Sequence, residues 1–87
     1  MELELSPQFE KSLRRFDRKT RELVYAKLEL FLQDKRHPSL RYKPVQGLKR
    51  LRPPVKEISI TMSIRITSQE FEDHIYLRIV GGHDILP

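Results

Sequence analysis

Apolar residues follow two rhythms along the chain, and the change from one to the other divides it. Leu3 and Leu5 alternate with Glu2 and Glu4, which predicts a short half-buried strand. Ser6-Pro7 then has the form of a helix start, with Ser6 as N-cap and Pro7 at the first helical position. Phe9, Leu13 and Phe16 follow at i, i+4 and i+7, one face of a helix. The polar stretch Asp17-Arg18-Lys19-Thr20 interrupts this stripe, and Asp17 can cap a second helix. Val24, Leu28 and Phe31 repeat the spacing, with Leu23, Leu30 and Leu32 widening the stripe, until His37-Pro38 ends it. The two stripes predict a pair of antiparallel helices with their apolar faces in a core.

Residues 37–56 hold four prolines, one glycine and the cations Arg41, Lys43, Lys49, Arg50 and Arg52. They predict a connector with a short strand around Leu48-Lys49-Arg50-Leu51. From Glu57 the period becomes two. Ile58, Ile60, Ile64 and Ile66 point one way, and Glu57, Ser59, Thr61, Arg65 and Thr67 the other. A three-residue turn near Met62-Ser63 keeps both faces matched in a hairpin. After the polar break Glu70 to Asp73, Ile75, Leu77 and Ile79 are the expected inner face of a last strand. The expected fold is α+β: one domain over residues 1–87, an N-terminal strand, a two-helix hairpin and an antiparallel sheet of three to four strands. The helices cover the isoleucine face. The opposite face, with Glu57, Arg65 and Arg78, is expected to stay open to solvent or a ligand.

Composition narrows the function. With 87 residues, 38% hydrophobic and 33% charged, the chain suits a single small domain with a thin core. It has no cysteine, so neither a disulfide scaffold nor a thiolate site is available. No apolar run approaches the roughly 20 residues of a membrane span. Met1-Glu2-Leu3-Glu4 lacks the features of a secretory signal, and a cytoplasmic protein without membrane partners is expected. The net charge of +5 and pI near 9.8 favour an anionic partner, nucleic acid first. A basic surface that serves only solubility fits this fact equally well.

Glu57 and Arg65 fall on one face, His83 follows the last strand beside Asp84, and Lys49, Arg50 and Arg52 precede the sheet. A carboxylate, an imidazole and several cations are what RNA cleavage without metal requires. A base removes the 2′-hydroxyl proton and that oxygen attacks the adjacent phosphorus. An acid protonates the departing 5′-oxygen, and cations stabilise the phosphorane. Imidazole suits proton transfer near neutral pH. Gly81-Gly82 frees the turn before His83 and permits close approach of a backbone. Each element also has a plainer reading: Glu57 and Arg65 as a cross-strand ion pair, His83 as a surface residue, Tyr76 and Arg78 as solvated sheet face, His37 and His74 as structural. Metal-ligand spacing, a Gly-rich phosphate loop and a nucleophile elbow are absent, and no cofactor is expected.

The stretch Glu57-Ile58-Ser59-Ile60-Thr61-Met62-Ser63-Ile64-Arg65-Ile66-Thr67, followed by Ile75-Tyr76-Leu77-Arg78-Ile79-Val80-Gly81-Gly82-His83-Asp84, resembles the C-terminal half of RelE/YoeB/YafQ-type toxins of bacterial type II toxin–antitoxin systems, within the RelE/ParE superfamily. The helix ending Asp34-Lys35-Arg36-His37-Pro38 and the basic Leu48-Lys49-Arg50-Leu51-Arg52 segment extend the resemblance over nearly the whole chain. It implies a small α+β fold, cleavage of messenger RNA on the ribosome, and neutralisation by a cognate antitoxin. Carried onto this sequence, Glu57 matches the acidic position some members use as a base. Arg65 matches the arginine that contacts the scissile phosphate, and His83 the terminal histidine. Lys49, Arg50 and Arg52 match the segment that grips RNA or ribosome, and Arg78 is a further RNA-binding candidate. The sequence departs from the pattern at Lys56, where many members carry an aromatic, and at Asp84 and Ile85, where some carry a tyrosine or phenylalanine. A gyrase-inhibiting toxin of the ParE type and an inactive antitoxin-binding relative are the alternatives.

Overall fold

The structure is a computed structural model that describes residues 1–48 and 50–86, without the side chain of His83. Its first turns follow from local hydrogen bonding. The Ser6 hydroxyl accepts the Phe9 N–H at 2.9 Å and starts α1 (Pro7–Leu13) with proline in the first turn. The Asp17 carboxylate accepts the Thr20 N–H at 2.8 Å and starts α2 (Arg18–Gln33). This hydrogen bond, more than the nearby Arg21 and Lys19, holds the Asp17 carboxyl below its usual range. The second helix stops at Gln33, four residues before His37-Pro38, and a 3-10 turn at Pro38–Leu40 follows. Among the described residues, no helix is long and apolar enough to cross a membrane.

Five strands form one sheet: β1 (Glu2–Leu5), β2 (Lys43–Pro44), β3 (Val55–Ser59), β4 (Arg65–Glu70) and β5 (His74–Gly81). The order is β1-β5-β4-β3-β2, with β1 parallel to β5 and the other pairs antiparallel. The expected α+β arrangement holds, and four strands follow the helices. The one in the connector is not where the sequence placed it. It lies at Lys43–Pro44, and Leu48, Arg50 and Leu51 belong to no strand; Lys49 is outside the described residues. Gly47, at φ 85°, turns the chain after β2, and Leu48 N–H donates to Val45 O at 3.2 Å.

One face of the sheet packs against the helices. Phe9, Leu13, Val24, Leu28 and Phe31 meet Leu40, Ile58, Ile60, Ile66, Ile75, Leu77 and Val80 in a single core. Ile79 is not among them. Thr67 pairs with Ile79 but Ser68 pairs with Leu77, so Arg78 is an extra residue and β5 changes phase there. Two hydroxyls, one from the N-cap of α1 and one from within it, fix this bulge. Ser6 Oγ donates to Arg78 O at 2.8 Å, and Ser12 Oγ accepts the Val80 N–H at 3.1 Å. Ile79 therefore leaves the core face and Val80 takes its place.

Candidate active site

The hairpin register builds the site. Residues directly opposite in neighbouring strands share a face, so Lys43, Glu57, Thr67 and Ile79 form one row across the sheet, and Ser59, Arg65 and Gly81 form the next. Glu57 and Arg65 are thus diagonal neighbours on the face away from the helices. Arg65 Nε lies 3.5 Å from Glu57 Oε1, and both side chains are nine-tenths buried. Arg65 Nη1 donates to the carbonyls of Thr61 and Ile64 in the hairpin loop. Two polar atoms are left over: Arg65 Nε and Ser59 Oγ are buried without a hydrogen-bond partner among the described residues. Burying such a group unsatisfied costs about 1–3 kcal/mol, which a ligand atom that bonded it would recover.

The face expected to lie open is largely covered. Glu57, Ser59, Arg65 and Thr67 are all buried. The connector folds back along β3, through Val45 N–H to Val55 O at 2.9 Å and Val55 N–H to Leu48 O at 3.5 Å. At the other end the chain turns into a 3-10 segment at His83–Ile85. A Cβ on Gly81 would stand 2.7 Å from Ile85 Cγ2. Ile85 packs there, on the Arg65 face, and any larger residue at 81 would have to displace it. The outward swing of Ile79 helps, since Ile79, Ile85, Leu48, Thr67 and Arg78 line one hollow.

Of the candidate residues, the fold brings Glu57 and Arg65 together, and the backbone carries His83 two residues beyond Gly81, the strand partner of Arg65. The imidazole of His83 lies outside the described atoms, as does all of Lys49. Arg50 and Arg52 are exposed on the connector, which reaches the same face at Leu48. Arg78 sits in the bulge and lines the hollow beyond Thr67, one row away from Arg65. His74, expected to be structural, stacks on Phe71 at 4.7 Å and meets Asp73 at 2.7 Å.

Two residues of the site were not singled out from the sequence. A cleft of about 360 Å³ opens at the β3 edge beyond the end of β2, with Pro38, Ser39 and Arg41 on one wall and Ser59, Thr61 and Arg65 on the other. Ser59 was legible in principle, because the hairpin register sets it opposite Arg65. Arg41 carries no sequence signal: a left-handed backbone, φ 45°, puts it at the cleft. Beyond Arg41 the same edge continues past Lys35, Arg36, His37 and Lys56. Among the described residues, no group of three or more His, Asp or Glu side chains converges as a metal site.

No sequence-family description matches the chain, and no curated protein matches it by sequence. Solved structures do. A metal-bound toxin from Helicobacter pylori superposes with a TM-score of 0.76 at 22% identity, over 100% of this chain and 99% of the other. YafQ in the Escherichia coli DinJ–YafQ complex gives 0.75 at 13% identity, over 98% and 96%. A YoeB dimer from Staphylococcus aureus gives 0.75 at 15% identity, over 95% and 97%. At these identities the likeness speaks for architecture, and it runs end to end: the chain has the α+β fold of the RelE/YoeB/YafQ-type toxins.

Proposed function

We propose that the chain is the toxin of a type II toxin–antitoxin pair and cleaves messenger RNA on the ribosome. The observation that carries the reading is Arg65: its side chain lines the cleft and is anchored through Nη1, while its Nε makes no hydrogen bond among the described residues and lies 3.5 Å from the Glu57 carboxylate. That is the form of a preorganised phosphate site. In the proposed reaction Arg65 binds the scissile phosphate and Glu57 or His83 takes the 2′-hydroxyl proton. The 2′-oxygen bonds to phosphorus, the bond to the 5′-oxygen breaks, and the second group returns a proton to that oxygen. The products carry a 2′,3′-cyclic phosphate and a 5′-hydroxyl. Lys49, Arg50, Arg52 and Arg78 track the RNA or ribosomal backbone. An antitoxin partner is supported by the DinJ–YafQ complex among the structures of the same fold. Acting on ribosomes places the protein in the cytoplasm.

The burial of Glu57 against Arg65 gives His83 the larger part of the proton transfer in this reading. A positioned acid or base contributes about 10²–10⁴-fold to rate. His83→Gln keeps size and hydrogen bonding but carries no proton at neutral pH. Single-turnover cleavage on purified programmed ribosomes is expected to fall at least about a hundredfold, with ribosome affinity unchanged. A wild-type rate in this variant refutes the role of His83. Absence of cleavage by the unmodified protein, together with inhibition of gyrase, moves the reading to the ParE type.

A further inference from the structure

We infer that Ser59 and Arg41 complete the phosphate site, so that the cleft at the β3 edge binds one RNA phosphodiester between three donors: Arg65 Nε, Ser59 Oγ and the Arg41 guanidinium. The inference rests on the reading of Arg65 as a phosphate-binding group and assigns the two residues that reading leaves out.

Three observations converge. Ser59 and Arg65 are direct strand partners on one face and both line the cleft. Each has a buried donor that makes no hydrogen bond among the described residues, Oγ in one and Nε in the other, and Nε has only the Glu57 carboxylate at 3.5 Å. A small hydroxyl and a guanidinium N–H on adjacent strands are complementary to two oxygens of one tetrahedral anion, and each hydrogen bond to a charged acceptor is a strong one. On the facing wall, Arg41 is exposed and held in the left-handed region, where a non-glycine residue is uncommon. Its exposed side chain thus lines the same cleft as the Ser59–Arg65 pair. No carboxylate lines the cleft among the described residues; the Glu57 carboxylate lies beside it, 3.5 Å from Arg65 Nε.

Ser59→Ala separates a ligand-binding role from a structural one, because the two predict different results. Deleting an unsatisfied buried hydroxyl leaves the thermal midpoint unchanged or higher. A ligand-binding hydroxyl also takes affinity with it. Arg41→Asn removes the cation with a residue that tolerates the left-handed backbone. The probe is a dinucleotide with a 2′-deoxy sugar at the cleavage position, which cannot react, titrated without ribosomes and followed by NMR shifts. The wild-type protein is expected to bind it with shifts at Ser59 and Arg65. Ser59→Ala is expected to weaken binding about tenfold at an undiminished melting temperature. Arg41→Asn is expected to weaken it about fivefold and to reduce the salt slope by about 0.7. Wild-type affinity in either variant, or no binding by the wild-type protein, overturns the inference. The outcomes separate it from the parent reading. Variant-sensitive binding in a protein that fails to cleave keeps the site and removes the ribonuclease. Cleavage by the wild type with probe binding indifferent to both variants does the reverse.

Discussion

Replacing Glu57 by Gln leaves the Arg65 guanidinium buried without the carboxylate 3.5 Å from its Nε, in a setting where both side chains are about 10% exposed. Breaking a buried ion pair by removing one partner costs about 3–5 kcal/mol, because the remaining charge is stranded. Here Arg65 Nη1 keeps its carbonyl acceptors Thr61 and Ile64, and Nε makes no hydrogen bond to Glu57. The cost therefore falls at or just below the low end of that range, about 2–3 kcal/mol. At about 4–8 °C per kcal/mol for a domain of this size, the melting temperature falls by about 10–20 °C. Arg65→Met strands Glu57 instead and costs a similar amount. The double variant Glu57→Gln/Arg65→Met strands neither, so it is less destabilised than the sum of the singles by at least about 1.5 kcal/mol. Urea unfolding followed by circular dichroism measures all four proteins, and repetition in high salt tests burial, since a desolvated pair is screened little. Single variants within about 0.5 kcal/mol of wild type and strictly additive would refute the reasoning. The pair would then be an ordinary solvated contact, and Arg65 would not be preorganised.

Simultaneous replacement of Lys49, Arg50 and Arg52 by Ala is expected to lower ribosome affinity and flatten its salt dependence, by about 0.7 in log–log slope for each single-strand phosphate no longer neutralised, with the fold intact by circular dichroism; an unchanged slope would make the segment solvated surface. Stability against pH is expected to show the cluster where Tyr42 donates to Glu70 at 2.7 Å and Lys35 donates to it at 2.8 Å. Burial alone would raise the Glu70 carboxyl, but these hydrogen bonds hold it below its ordinary 4.5, so their stabilisation is present above that pH and is lost as pH falls through and below it. Burial and the Glu70 carboxylate push the Tyr42 hydroxyl well above its ordinary 10.0, so its contribution is complete below pH 10 and is lost as pH rises beyond it. Thermal melts of Glu70→Gln at low pH and Tyr42→Phe at high pH are expected to show flatter profiles than wild type, and parallel profiles would contradict the assignment.

What the sequence disclosed depended on the range of the interaction. The caps at Ser6 and Asp17 were legible because each bonds a backbone N–H only three residues on. The β3–β4 hairpin was legible because alternation fixes its faces and Ile60 N–H closes on Ile64 O at 2.9 Å around the three-residue turn. That register also joined Glu57 to Arg65. The phase of β5 was not legible, since its bulge is held by Ser6 and Ser12, 72 and 68 residues away in sequence. Neither was the burial of the polar face. It comes from the connector and from Ile85 packing on Gly81, contacts that alternation within a strand does not encode. Arg41 was legible only as one of the connector's cations, because its place at the cleft depends on a single left-handed residue in a loop.

The central claim is that Arg65 and the turn at His83 form a site for 2′-hydroxyl attack on messenger RNA in the ribosome. Its most direct measurement compares two messages on programmed ribosomes, one all-ribose and one with a single 2′-deoxy sugar at the nucleotide whose hydroxyl attacks. Purified protein is expected to cut the first, leaving a 2′,3′-cyclic phosphate, and to leave the second intact although it binds the same ribosome. Equal cleavage of both messages, or a product with a free 3′-hydroxyl, would contradict the account.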